Sequence, residues 1–251
     1  MPSIPVALQM YTVRDVAESD FLGTVRKVAE IGYSGIELAG VPVPAQDLKD
    51  AMDDLGLEAA SIHFGYQALT EDASACIETA VAVGCRYVTC SGLFTKLRET
   101  AEGFEQAGVE LSRAGRKCAE HGIELCYHNH SFEFARFGGK YAYDILFESS
   151  DRHFLKAQID TYWVRHGGED PAAYIRKYAG RCPLVHLKDM ADDAERSFAE
   201  VGEGILDFEA IFKASEAAGV QWYIVEQDFC KGSSLDSART SFENLKRMGR
   251  A

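Results

Sequence analysis

Eight short apolar runs, each followed by a longer segment of helical period, leave this chain very few folds to choose from. The runs are rich in β-branched and aromatic residues: VALQMYTV (6–13), SGIEL (34–38), EAASIHF (58–64), RYVTCS (86–91), IELCYHN (123–129), LKAQID (155–160), PLVHLK (183–188) and WYIVEQ (222–227). Between and after them the pattern predicts helices over 20–31, 44–55, 71–83, 99–121, 141–149, 170–179, 207–218 and 236–248. Several helices end in glycine, as AEIG (29–32), DDLG (53–56), VAVG (81–84), AEHG (119–122) and EAAG (216–219) do, and a new strand follows almost at once. Helix, glycine, then strand is the return loop of a parallel α/β protein.

Eight such units in series close into a barrel or open into a doubly wound sheet. A dinucleotide-binding open sheet carries G-x-G-x-x-G after its first strand, because only glycine lets the backbone approach a pyrophosphate. Here the first run continues into QMYTVRD, and the glycines of VGEG (201–204) fall between the last two units. The expectation is therefore a single (β/α)8 TIM barrel domain spanning residues 1–251, a length typical of that fold.

In a barrel, chemistry sits at the C-terminal ends of the strands. Those positions hold Gln9 and Tyr11, Glu37, His63, His128 with Asn129 and His130, Asp160, His186 with Lys188, and Glu226 with Asp228. An ionisable group placed directly after buried apolar residues needs a partner, since a lone buried charge costs several kcal/mol. A single histidine or aspartate there commonly caps the next helix. Three metal-competent groups in equivalent positions of consecutive units, Asp160, His186 and Glu226, point instead to a shared divalent cation. Alternation in IELCYHNH puts His128 on one strand face, and His130 too if the strand continues, so either could complete the ligand set.

Net charge −13 and the absence of any run of five or more like charges argue against a nucleic-acid partner, which calls for basic surface. No apolar stretch is long enough to span a bilayer, and the N-terminus MPSIPVALQ has no positively charged lead, so no membrane partner and a cytoplasmic location are expected. Seven scattered cysteines without a C-x-x-C pair fit a reducing compartment.

The stretches LQMYTVRD, AEIGYSGIELAG, YHNHSFEF, QIDTYWVRHGGEDP, RCPLVHLKDM, VGEGILDF and YIVEQD, in this order, resemble the xylose isomerase-like TIM-barrel superfamily, in particular its sugar phosphate isomerase/epimerase branch. The resemblance implies a metal held by residues after strands 5 to 8, which here are His128, Asp160, His186 and Glu226. Many relatives carry Glu-Asn-His at the end of strand 5 where this chain reads His128-Asn129-His130. Either His128 takes the place of that glutamate, or Glu133 reaches the metal from the following loop. The resemblance also implies a carbohydrate substrate and a homo-oligomer.

The expected activity is a metal-dependent sugar, keto-sugar or polyol isomerase or epimerase working through an enediolate. Its cofactor is one divalent ion, Mn²⁺ favoured over Co²⁺, Zn²⁺ or Mg²⁺, with the imidazole ligands disfavouring Mg²⁺. The expected catalytic residues are His130 as general base, Glu226, and Lys188 against developing negative charge. Glu37, His63, Asn129, Glu133 and Trp163 (or Tyr162) would contact substrate. The alternative is a metal-dependent lyase, of the inosose dehydratase kind or acting by β-elimination on a 3-keto-glycoside, which suits a histidine-rich strand 5. An endonuclease IV-like DNA repair enzyme shares the barrel but conflicts with the acidic charge. No arginine or lysine cluster or basic glycine loop marks a phosphate site.

Overall fold

The computed structural model describes residues 4–251. Eight parallel strands close into a barrel: β1 Val6–Gln9, β2 Gly35–Leu38, β3 Glu58–Phe64, β4 Tyr87–Cys90, β5 Glu124–His128, β6 Leu155–Asp160, β7 Leu184–Leu187 and β8 Trp222–Val225. Each strand pairs with its sequence neighbours, and β8 closes against β1 through Val6–Tyr223 and Leu8–Val225. The outer helices are α1 Phe21–Ile31, α2 Ala45–Leu55, α3 Ser74–Ala82, α4 Ala101–Ala119, α5 Ala142–Glu148, α6 Pro171–Lys177, α7 Phe208–Ala218 and α8 Ser234–Arg247. The (β/α)8 TIM barrel read from the sequence is the fold observed.

Local chemistry explains the boundaries. Asp20, Thr100, Asp170, Asp207 and Ser233 cap helix N-termini with their side-chain oxygens. Gly56 and Gly219 end α2 and α7 in the left-handed region (φ 67° and 80°), where a side chain would be strained. The first run breaks sooner than its hydrophobicity suggests. β1 stops at Gln9, and Met10–Val13 turn through a 3-10 helix, because the Gln9 side chain accepts the Tyr11 N–H at 3.0 Å. The fifth run likewise stops at His128, so His130 lies beyond the strand rather than on its inward face.

The period of two sorts inward residues by height. Ala7, Tyr87, Cys126, Leu184, Trp222 and Ile224 fill the bottom of the barrel as an apolar plug. Gly35 belongs to this layer: a Cβ there would lie 3.0 Å from the Trp222 ring and 2.6 Å from the Glu58 carbonyl oxygen. Above the plug the inward positions turn polar, with Gln9, Glu37, Ser61, Thr89, His128, Gln158, Asp160 and His186 all buried. Burying so many polar groups is tolerable only if they satisfy one another. Among the described residues no helix is long and apolar enough to cross a membrane.

Candidate metal centre

Strand register brings the candidate ligands together. Asp160 lies opposite His186 across β6 and β7, and His128 lies opposite Gln158 across β5 and β6. His128, Asp160, His186 and Glu226 each offer a donor atom within 4.8 Å of the others, and all four are buried. Asp160 does two jobs at once. Its Oδ1 accepts the Trp163 N–H at 2.9 Å and caps the short helix Thr161–His166, while its Oδ2 is buried and makes no hydrogen bond, with the Lys188 ammonium 3.1 Å away as an ion-pair partner. That oxygen faces His128 Nε2 and His186 Nδ1, each at 3.8 Å. Two donors bound to one ion at about 2 Å each lie no more than ~4 Å apart. The donor set, two imidazoles and two carboxylates, suits Mn²⁺, Co²⁺ or Zn²⁺. The residues present fit a divalent ion.

A second layer holds these side chains. Glu37 is fully buried, and its Oε2 accepts from Gln9 Nε2 and His186 Nε2, both at 2.6 Å. Its Oε1 accepts from Gln158 Nε2 at 2.5 Å, and Gln158 Oε1 in turn faces His128 Nδ1 at 3.1 Å and His63 Nε2 at 2.9 Å. Burial alone would raise the Glu37 pKa, but His63 and His186 outweigh it and hold the carboxyl ionised. Burial also opposes charge on His186, yet Glu37 on one side and Glu226 on the other, at 2.9 Å from Nδ1, lift its pKa to about 10. Glu37 thus sits beneath His186, a candidate ligand, and is fully buried. The sequence suggested pocket lining for it; the fold puts it one layer down.

Lys188 lies just past β7 and is 1% exposed. Its ammonium meets Glu226 at 2.7 Å, Asp228 at 2.8 Å and Asp160 at 3.1 Å. Burial would strip its proton, but these carboxylates overcome that and hold it charged. Burial raises Asp160 to about 6 despite Lys188 and His186 beside it. Glu226 is held low by Lys188 and His186 against the opposing effect of burial.

A cavity of about 350 Å³ opens above this cluster, lined by His63, Phe64, His130, Glu226 and Asp228 among others. His130 turns into it although it has left the strand. Its Nδ1 is buried without a partner, and burial together with Lys188 pushes its pKa down to about 4, so the ring is neutral. Trp163 stands beside it, with ring centroids 5.7 Å apart, and its Nε1 is also buried and unpartnered. Asn129 does not face the cavity: its Oδ1 accepts the Asp160 N–H at 3.0 Å. Glu133 is also withdrawn, accepting from the Tyr127 hydroxyl at 2.6 Å and the His130 N–H at 2.8 Å. The four-residue cluster contains His128 and leaves Glu133 outside. The VGEG loop forms no phosphate cradle, since the Gly202 and Gly204 N–H groups point at the buried Asp189 carboxylate, at 3.0 and 2.8 Å.

The sequence matches the family described as xylose isomerase-like TIM barrel over residues 25–248. The chain belongs to the xylose isomerase-like TIM barrel family. An inosose dehydratase from Clostridium beijerinckii is 25% identical to this family member, over 84% of this chain and 83% of that protein. The rhizopine catabolism protein MocC from Rhizobium meliloti is 26% identical over 90% and 80%. Among solved structures, a sugar phosphate isomerase/epimerase from Parabacteroides distasonis superposes with TM-score 0.86 at 22% identity, covering 97% of this chain and 94% of that one. The IOLI protein with a binding zinc atom superposes with TM-score 0.78 at 15% identity, covering 96% and 97%.

Sequence reasoning gave no role to Gln9, Gln158 or Asp228, and this xylose isomerase-like barrel uses all three in the network. A signal for Gln158 was present. It stands two residues before Asp160 in LKAQID, hence on the same strand face as a candidate ligand.

Proposed function

We propose that this protein is a metal-dependent lyase that eliminates water, or an equivalent β-substituent, from a keto-sugar or keto-polyol. The observation that carries this reading is the acid–base inventory of the cavity. Among the described residues lining it, Glu226 is the sole glutamate, and the group available opposite is the neutral, unpartnered imidazole of His130. Epimerisation by a pair of glutamates, one on each face of the substrate, would need a second one. The best-placed candidate, Glu133, is spent on Tyr127 and the His130 backbone. Elimination needs a single base for a proton beside a carbonyl, which His130 supplies. The inosose dehydratases among the relatives support the same reaction class.

His128, Asp160, His186 and Glu226 would hold the ion, and the zinc atom of the structurally similar IOLI protein supports a divalent occupant. When bound, such an ion polarises a substrate carbonyl as a Lewis acid. The chain's own residues do the rest. His130 takes the proton beside the carbonyl, and Lys188, kept charged by three carboxylates, stabilises negative charge developing on substrate oxygen. The protonated His130 returns its proton to the β-oxygen as the C–O bond breaks, so that the substituent leaves as water or an alcohol and His130 is neutral again. Phe64 lines the cavity and Trp163 packs beside His130, and both reduce water access.

The test is mass spectrometry of an inosose incubated with the Mn²⁺-loaded protein. Loss of one water is expected. A rearranged product of unchanged mass would assign isomerase or epimerase chemistry instead, and overturn the proposal.

A further inference from the structure

We infer that the substrate carries a bulky, largely apolar substituent on its keto-sugar ring, received by a second cavity beside the catalytic one; this rests on the keto-sugar reading above. The catalytic cavity, at about 350 Å³, lies at the small end of the range of roughly 300–1,000 Å³ for small-molecule sites, room for a single polyol ring. Adjoining it, between the loops that follow β1 and β2, is a cavity of about 980 Å³. Its walls include Phe21, Val41, Pro42 and Val43, with Arg14 and Glu18 among the polar residues lining it. The apolar side of this surface gives an aryl or alkyl group much to bury, and Arg14, Asp15, Glu18 and Ser19 make its polar side.

Two residues, Tyr11 and Ala39, line both cavities. Ala39 contributes only a methyl group, and Gly40 follows with φ 152°, where a Cβ would meet nothing within 4 Å. No large side chain of this segment therefore separates the two spaces. Tyr11 is pinned. Its N–H is held by Gln9, the Arg14 guanidinium lies 3.9 Å from its ring centre, and Arg14 Nη1 donates to its carbonyl at 2.7 Å. Arg14 Nη2 donates to the Asp228 carbonyl at 2.8 Å, which ties the ring to the loop carrying Lys188's partner. Tyr11 as a whole remains 42% exposed. An aromatic ring fixed by a cation on one face leaves the other for a planar or apolar group. The cavities meet at Tyr11 and Ala39, so a substituent that passes Ala39 from the inner one enters the outer one. The occupant is thus a substituent of the substrate, and an aryl glycoside of a keto-sugar is the chemistry that fits.

The experiment compares kcat/KM of the Mn²⁺-loaded enzyme for a keto-glucose and for its para-nitrophenyl glycoside, in wild type, Val41→Trp and Ser19→Trp. Ser19 is an exposed residue on the cavity wall, so its variant reports even if Val41→Trp fails to fold. An apolar contact in a pocket is worth roughly 10- to 200-fold, so the glycoside should be preferred by at least about tenfold, and both variants should erase that preference. If the glycoside is handled no better than the free keto-sugar, the outer subsite is refuted while the lyase reading stands. If neither compound reacts, the lyase reading fails and binding decides the subsite, with para-nitrophenyl glucoside titrated against tryptophan fluorescence. Weaker binding in the variants by about tenfold supports the subsite, and equal affinity overturns it.

Discussion

Glu37 Oε2 accepts the Nε2–H of His186 at 2.6 Å across 149 residues of sequence, and the same carboxylate reaches His128 through the Gln158 amide. One buried acid therefore selects the tautomer of two candidate ligands, and in the proposed site His186 Nδ1 and His128 Nε2 would be left for the ion. Loss of such a supporting group typically costs 10–100-fold in metal affinity. Glu37→Gln should weaken Mn²⁺ binding by about that factor in isothermal titration, although residue 37 touches no ion. Undiminished affinity would show that the ligands hold their orientation without it.

His130 stands apart from the candidate ligand cluster, lines the cavity, and has a buried Nδ1 without a hydrogen-bond partner. A general base contributes about 10²–10⁴-fold. His130→Ala should lower kcat within that range while bound metal per chain stays the same. A parallel loss of metal would reassign the residue to the ligand sphere.

The fold was legible because barrel units announce themselves locally, through apolar runs, helical period and glycine stops. Asp160, His186 and Glu226 were legible because equivalent positions of consecutive strands must become neighbours in a closed parallel barrel. The second layer was not. Gln158 and Glu37 lie 121 residues apart, and an amide within an apolar run carries no mark of the carboxylate it will meet. Glu37 and Glu133 were visible as residues, yet their depth was hidden. Both fall near strand ends, and only packing shows that one supports His186 and the other closes on Tyr127. The extent of β1 was misleading for a related reason: VALQMYTV is apolar enough for a long strand, but the Gln9 side chain caps the turn that ends it.

Lys188 neutralises Asp160, Glu226 and Asp228 from within the protein. Removing one partner of a buried ion cluster typically costs about 3–5 kcal/mol, because the remaining charges stay buried. Lys188→Met should therefore destabilise the metal-free protein by that order in urea denaturation, and saturating Mn²⁺ should recover part of the loss by supplying positive charge to the same carboxylates. An equal loss with and without metal would mean that the ion and the ammonium do not share these oxygens.

Glu133 provides a pH signature away from the ligands. Burial lifts its pKa from 4.5 to about 7, against hydrogen bonds from Tyr127 and the His130 N–H. In the unfolded chain the carboxyl loses its proton near the ordinary value, whereas the folded protein keeps it until near neutrality. Across that window the folded state binds more protons, so this group's contribution to stability falls as pH rises, by up to roughly 3 kcal/mol in total. Glu133→Gln preserves the geometry, with its amide donating to the Tyr127 oxygen and its carbonyl accepting the His130 N–H, and it cannot ionise. The variant should match wild type near about pH 5 and exceed it near about pH 8 in urea denaturation, with the difference growing through the interval. A constant difference across the range would mean that folding leaves the Glu133 pKa where it was, and that the Tyr127 and His130 contacts fully offset the cost of burying the charge.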